Sequence, residues 1–88
     1  MSPAEVMNEI FFSYITEFTS RRTRGFAFVH VMGKVNEHRA VLSDDNVKYL
    51  MACATKFSEE YKKAWPWSRP GVVAKAMRNF QIVSQNIL

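Results

Sequence analysis

The sequence predicts a small α+β protein that consists of one helix, a β-hairpin and two further helices. Three observations favour this fold class: helical capping signals followed by apolar stripes, an alternating apolar run over residues 24–32, and a corner rich in tryptophan and proline near residue 66. With 88 residues the chain can build one small core, and domains of this size often gain stability by self-association. We therefore expect a single domain, residues 1–88, that forms homo-oligomers.

The first predicted element is a helix that begins at Ser2-Pro3-Ala4-Glu5. Serine is a favoured N-cap, proline suits the first helical position, and glutamate three residues after the cap completes a capping box. Phe12 and Ile15 fall outside the main apolar stripe, so we expect a second apolar surface for a helix or another copy of the chain. The stripe itself has three- and four-residue spacing and contains Val6, Met7, Ile10, Phe11, Tyr14 and Phe18.

The hairpin is predicted for residues 24–42. Apolar side chains alternate from Phe26 to Met32 as in a strand, and Gly33-Lys34 suits a two-residue type II′ turn, after which residues 35–42 can return as the second strand. One face must pack on the helices, because an isolated hairpin is unstable in water. We expect the more apolar face to be buried, namely Phe26, Phe28, Met32, Val35 and Val41.

Two helices are predicted to follow as an antiparallel pair. Ser43 can cap the first helix and Ser68 the second, while the prolines between them disfavour helical geometry in the residues that precede them. At that corner we expect one of Trp65 and Trp67 to pack in the core and the other to point outward. The apolar stripes are Val47, Leu50, Met51, Ala54, Phe57, Tyr61 and Ala64 in one helix, and Val73, Ala76, Met77, Phe80, Val83 and Ile87 in the other.

The composition argues against several kinds of site. The single cysteine, Cys53, excludes an intramolecular disulfide and a cysteine-cluster metal site and favours a reducing compartment, so we expect a cytoplasmic protein. Residues 1–18 contain three glutamates and no basic region, and we expect neither an export signal nor a membrane span. His30 and His38 would lie on opposite faces of the hairpin, too far apart to share a metal. We expect a non-enzymatic protein without cofactor or metal.

Positive charge is concentrated in the body of the chain. Residues 19–88 carry all twelve Lys and Arg against five acids, a balance of +7, which favours an anionic partner and also serves solubility. Guanidinium groups bind phosphate bidentately, and an exposed tryptophan beside an arginine can stack on a base. The predicted ligand-binding residues are Arg21, Arg22, Arg24, Lys34 and Arg39 around the hairpin, and Trp67 and Arg69 at the corner.

Residues 24–31 resemble the RNP1 octamer of RNA-recognition motif proteins. Arg24-Gly25-Phe26-Ala27-Phe28-Val29 matches the pattern, and Val31 stands where an aromatic residue is expected. The resemblance implies an open sheet whose two phenylalanines stack RNA bases. That family has a strand, a helix and another strand before the octamer, whereas residues 1–23 have a helical pattern here, so we prefer a strand whose phenylalanines face the core.

Residues 42–88 resemble the small phage anti-CBASS cyclic-oligonucleotide sponges. The resemblance implies a helical homo-oligomer that sequesters a nucleotide second messenger of host defence without chemistry. It assigns Arg39 to a Gly-Tyr-Arg-like step, in which Glu37-His38 replaces the glycine and the stacking tyrosine, and it assigns Lys56 to the family's helix lysine. The matching spacing is carried by Leu42-Ser43, Val47, Leu50-Met51, Val73-Ala74, Ala76, Phe80-Gln81 and Ile87.

These observations predict a small binding protein that captures an anionic nucleotide or nucleic acid, in the manner of a phage-type inhibitor of host defence. Arg22, Arg24 and Arg39 would contact phosphate while an aromatic side chain stacks on a base. One alternative is a protein-interaction module that docks its aromatic and methionine surface on a target protein. The second alternative is RNA binding through the hairpin.

Overall fold

The protein is an all-helical bundle, and the α+β prediction is wrong. A computed structural model describes residues 2–87, except for the side chain of Ile87, and no strand occurs in that part of the chain. Among residues 2–87, no helix combines the length and hydrophobicity that a membrane span requires. The elements are α1 (Pro3–Thr19), a 3-10 turn (Arg24–Phe26), α2 (Ala27–Glu37), α3 (Asp44–Lys63), a 3-10 turn (Pro66–Ser68) and α4 (Arg69–Ile87).

The predicted starts of the helices are confirmed. The hydroxyl of Ser2 accepts a hydrogen bond from the Glu5 N–H at 3.2 Å, and the Glu5 carboxylate accepts one from the Ser2 N–H, which completes the capping box. Ser43 caps α3 in the same way, because its hydroxyl accepts from the Asn46 N–H at 3.1 Å. The last helix begins at Arg69, directly after the predicted corner.

α1 is the central helix, since it packs against each of the other three. Phe11 and Phe18 of α1 contact Phe57 and Tyr61 of α3 in the same order along both helices, so α1 and α3 are parallel. The chain therefore runs up, down, up and down. One end of the bundle unites the C-termini of α1 and α3 with the N-termini of α2 and α4.

Central placement explains why α1 is so apolar. Ile15, which falls outside the predicted stripe, is buried at 4 % exposure because a third helix covers that side of α1. Phe12 remains exposed. Of the two side chains predicted to form an additional apolar surface, Ile15 is thus buried within the bundle and Phe12 is not.

A buried polar pair links α1 to α3. The hydroxyls of Tyr14 and Ser58 are hydrogen-bonded, and the Ser58 hydroxyl also donates to the carbonyl oxygen of Ala54 at 2.7 Å. A serine hydroxyl carries one proton, so Tyr14 is the donor to Ser58. Burial raises the pKa of Tyr14, and the hydrogen bond to Ser58 opposes part of that rise.

Helix α2 replaces the predicted hairpin. Its buried residues are Ala27, Val31 and Val35, spaced by four as a helix requires. An apolar run of this kind fits both a strand and a helix, and its periodicity does not decide between them. The broad apolar face of α1 is covered by a third helical neighbour, whereas a two-stranded sheet would leave unpaired strand edges.

The prediction that the phenylalanines anchor the core is wrong for the same reason. Phe26 is 61 % exposed and Phe28 is 40 % exposed, and Met32 and Val41 are exposed as well, so Val35 alone of the predicted face is buried. Phe28 still contacts the ring of Tyr14, with 5.1 Å between centroids. The hairpin that would carry an RNP1-like platform is absent from residues 2–87, which removes the basis for RNA binding through a sheet.

Candidate nucleic-acid interface

Two basic segments that are distant in sequence meet at one end of the bundle. The first, residues 20–26, connects α1 to α2, and the second, residues 61–70, comprises the end of α3, the connection that follows it and the start of α4. We call the surface formed by these two segments the basic-aromatic end. It forms because α1 and α3 run parallel, so that both of their C-termini, and the connections after them, lie at the same end.

Tyr61 joins the two segments. The guanidinium carbon of Arg24 lies 5.6 Å from the centroid of the Tyr61 ring, and that of Arg69 lies 4.9 Å from it. Arg24 also donates from Nε to the Phe18 carbonyl at 2.7 Å, and Arg69 donates to the Tyr61 carbonyl at 3.2 Å. Arg24 thereby supplies a donor to a carbonyl in the last turn of α1, and Arg69 adds a second donor to the Tyr61 carbonyl, which also accepts from the Ala64 N–H at 3.3 Å. A cation is also favoured at both helix ends by the helix dipole.

Arg24 and Arg69 are therefore committed in part to the fold. The guanidinium of Arg24 is also stacked 5.1 Å from the centroid of Phe18, and its role as a phosphate ligand stays a prediction. The exposed cations of this end are Arg21 and Arg22 in the first segment and Lys62 and Lys63 in the second. These four side chains are available to a ligand.

Trp65 and Trp67 form an exposed aromatic pair. Their rings are parallel within 4°, with 5.2 Å between centroids, and their residues are 67 % and 75 % exposed. The expectation that one tryptophan would pack in the core is wrong, because the Pro66–Ser68 turn directs both indoles away from the bundle. Exposure of a large apolar side chain such as tryptophan to water is unfavourable, and exposed tryptophans are common where a partner binds.

Charge at this end has a single sign. The two segments contain six cations and no acid, whereas the whole chain has a net charge of +4, so everything outside them has a net charge of −2. Two helix N-termini and two C-termini meet here, and their dipoles oppose one another. The positive potential of the basic-aromatic end therefore comes from its side chains.

A shallow hollow lies beside the tryptophans. It has a volume of about 500 Å³ and connects the end of α1 to the start of α4. Its lining consists of Thr19, Tyr61, Pro66, Arg69, Pro70 and Val73.

Three of the predicted ligand residues lie elsewhere. Arg39 follows α2, about 16 Å along the helix axis from its start, and its guanidinium pairs with Asp44 at 3.3 Å. Lys34 lies in a groove between α1 and α2, and Lys56 lines a cleft between α3 and α4. Lys34, Arg39 and Lys56 therefore lie outside the two segments that form the basic-aromatic end.

Lys62, Lys63 and Trp65 are functional candidates that sequence reasoning missed. The two lysines have the appearance of an ordinary solvated helix face, and their proximity to Arg21 and Arg22 depends on the parallel packing of α1 and α3. The available signal was their position in the last turn before the Trp-Pro-Trp corner. That position places them at a helix end rather than along its face.

No metal centre is formed by the described residues. Among residues 2–87, no group of three or more His, Cys, Asp and Glu side chains is placed to hold a metal ion. His30 contacts the carboxylate of Glu17 on α1, and Nδ1 of His38 lies 2.9 Å from the Lys34 carbonyl oxygen. The two histidines thus make separate local contacts in α2 and at its end.

Comparisons with protein-family models, curated proteins and solved structures found no match for this chain. The resemblance of residues 42–88 to the phage sponges therefore stays a prediction. So do the homo-oligomeric state and the cytoplasmic location.

Proposed function

We propose that this protein binds single-stranded nucleic acid at the basic-aromatic end and does so without catalysing a reaction. The observation that supports the proposal is the convergence of six cations and two exposed, parallel indoles on one surface. Proteins that bind single strands combine a positively charged track for the backbone with aromatic side chains on which bases stack. Both components are present here within the two segments of the basic-aromatic end.

The shape of the surface favours a strand over a free nucleotide. Sites for small molecules are concave and enclose most of the ligand, whereas Trp65 and Trp67 are mostly exposed on an outer corner. A strand can place successive bases on the outer faces of the indole pair while its phosphates reach the cations. An isolated mononucleotide would bury little surface on the same corner.

Phosphates would be contacted chiefly by Arg21, Arg22, Lys62 and Lys63, which are exposed. Four such contacts release counterions from the strand, so a rise from about 50 to about 200 mM salt should weaken binding roughly 50-fold. Arg24 and Arg69, whose guanidinium groups are stacked on Tyr61, would add to the positive potential of this surface. A weak salt dependence would contradict the assignment of these cations.

The test is binding of a fluorescein-labelled oligo(dT), followed by anisotropy and by quenching of tryptophan fluorescence. The variant Arg21→Ala/Arg22→Ala should weaken binding and flatten the salt dependence. The matched control is Lys48→Ala/Arg78→Ala, which removes the same charge from exposed positions on α3 and α4 outside this end. If both double variants weakened binding of oligo(dT) equally, the interaction would be a non-specific attraction by net charge. That result would overturn the proposal.

A second candidate function is docking on a protein target through α2. Phe28, Val29 and Met32 are 40 %, 65 % and 42 % exposed, and Phe26 precedes them at the start of the helix. Such an apolar helix face is the feature by which helices bind grooves in partner proteins. Association through it would be largely insensitive to salt and would survive loss of Arg21 and Arg22, which separates it from strand binding.

A further inference from the structure

A second concave site lies between α3 and α4, lined in part by Phe11 of α1. Its volume is about 300 Å³, at the lower end of the range for small-molecule pockets. It shares none of its lining with the hollow beside the tryptophans. The site is therefore distinct from the basic-aromatic end.

Aromatic rings form one wall of the cleft. The rings of Tyr49 and Phe80 are stacked with 5.6 Å between centroids and 22° between planes, and Phe80 stacks in turn on Phe11 at 4.2 Å and 13°. Phe80 is thus stacked between Phe11 and Tyr49, and Phe11 and Phe80 are each only 2 % exposed, whereas Tyr49 is half-buried. Tyr49 is therefore the ring of this stack on which a flat ligand can pack, and an aromatic pair of this kind adds to the gain from burial.

The polar groups of the cleft lie on two facing helices. Lys56 comes from α3 and Lys75 from α4, both are exposed, and Asn79 lies one turn beyond Lys75. Glu60 is the one acid in the lining. Neither lysine forms an ion pair with a carboxylate among residues 2–87. The charge available to a ligand in the cleft is therefore net positive.

Tyr49 and Cys53, which also line the cleft, are uncharged at physiological pH. Burial, with a smaller contribution from the nearby Cys53 thiol, raises the pKa of Tyr49 to about 12. Burial also raises the pKa of the Cys53 thiol, although Tyr49 and Lys56 oppose that rise. A ligand thus meets an uncharged apolar wall and two separate ammonium groups.

We propose that the α3–α4 cleft binds a small planar aromatic anion, a carboxylate or sulfonate, with its rings against Tyr49 and its charge beside Lys56 and Lys75. The aromatic wall selects a flat apolar body and the lysines select a negative charge. The volume admits a ligand of one or two fused rings with a substituent. Charge complementarity distinguishes this occupant from a neutral apolar molecule and from a cation.

Cys53 provides a direct report of occupancy, because it lines the cleft and is the single cysteine of the chain. The ligand used as a probe is 1-anilinonaphthalene-8-sulfonate, whose fluorescence rises in an apolar site. Protection of the cleft is measured as the rate at which N-ethylmaleimide modifies Cys53 in the unaltered protein. Saturating probe should slow that modification severalfold. Probe that bound only at the tryptophans would leave the Cys53 rate unchanged and would overturn the assignment.

Lysine variants test the charge. Lys56→Glu/Lys75→Glu should weaken binding of the probe about tenfold or more, while the control Lys48→Glu/Arg78→Glu, with the same change in net charge, should leave it close to that of the parent. All four positions are exposed, so the variants should keep their helical circular dichroism. Equal losses in both double variants would show net-charge attraction only and would overturn the proposal.

A neutral analogue tests the class of ligand. N-phenyl-1-naphthylamine has the same rings without the sulfonate and should bind at least about tenfold more weakly. Equal binding of both molecules would overturn the assignment of an anion site. If the rate of Cys53 modification decreased as the protein concentration increased and did not change with added probe, a second copy of the chain would cover the cleft. That result would also overturn the assignment of an anion site.

Discussion

The indole rings of Trp65 and Trp67 lie parallel, 5.2 Å apart between centroids, on the outer corner between α3 and α4. Pro66 separates them in sequence and fixes the backbone so that both rings point the same way. Because each residue is at least two thirds exposed, the pair contributes little to the core. Its contribution should be seen in binding.

Replacement of either tryptophan by alanine should therefore separate stability from binding. We expect the free energy of unfolding to change by less than about 0.5 kcal/mol, while binding of oligo(dT) weakens by about 1–3 kcal/mol for each base that loses its stacking partner. Urea denaturation and anisotropy measure the two quantities. Phe12→Ala, an exposed aromatic on α1 outside this end, is the matched control and should leave binding unchanged.

Arg21 and Arg24 should behave in opposite ways. Arg24→Ala removes the hydrogen bond to the Phe18 carbonyl and the stacking on Phe18 and Tyr61, so it should destabilise the protein by about 2 kcal/mol. Arg21→Ala removes an exposed side chain and should cost less than about 0.5 kcal/mol. Equal stability of the two variants in urea would contradict the structural role of Arg24.

The hydrogen bond between Tyr14 and Ser58 should show asymmetric costs. Tyr14→Phe leaves Ser58 bonded to the Ala54 carbonyl and should cost about 1 kcal/mol. Ser58→Ala leaves the Tyr14 hydroxyl buried without that partner and should cost more, about 1–3 kcal/mol. Thermal or urea unfolding of both single variants and the double variant measures the difference, and the double variant should be more stable than Ser58→Ala alone.

Stability should decrease at alkaline pH. The pKa of Tyr49 is raised from 10.0 to about 12, chiefly by burial. The folded state therefore favours the neutral phenol, and this stabilisation is complete below pH 10 and lost as the pH rises toward 12. Burial raises the pKa of Cys53 and Tyr14 in the same direction.

Tyr49→Phe isolates the contribution of that phenol. Its free energy of unfolding should decline less steeply than that of the parent between pH 10 and pH 12, because the variant has no phenol to ionise at this position. Urea denaturation at each pH supplies the comparison. Identical slopes for the two proteins would contradict the role assigned to Tyr49.

Gly33 distinguishes helix from hairpin. It lies inside α2, and a Cβ added there would meet no atom within 4 Å, so Gly33→Ala should stabilise the protein by about 0.5–1 kcal/mol through helix propensity. In a type II′ turn the same position would require positive φ, and alanine would destabilise it. A rise in melting temperature with increased helical circular dichroism is expected, and a fall would favour the hairpin.

The sequence was sufficient for the features that depend on local chemistry. The capping box at Ser2 and Glu5, the cap at Ser43 and the break at Pro66 each involve residues three or four positions apart, and all lie where they were predicted. The positive surplus and the turn at the Trp corner are likewise properties of composition and short spacing.

The identity of α2 and the composition of the candidate site were decided by tertiary structure. The run from Phe26 to Met32 is compatible with the periodicity of a strand and with that of a helix. Packing against the apolar face of α1 favours the helix, and in this helix Phe26 and Phe28 are exposed. The parallel packing of α1 and α3 then brought Lys62 and Lys63 to the end that holds Arg21 and Arg22. Contacts between residues about forty positions apart have no local signature, because they depend on how several helices share one core.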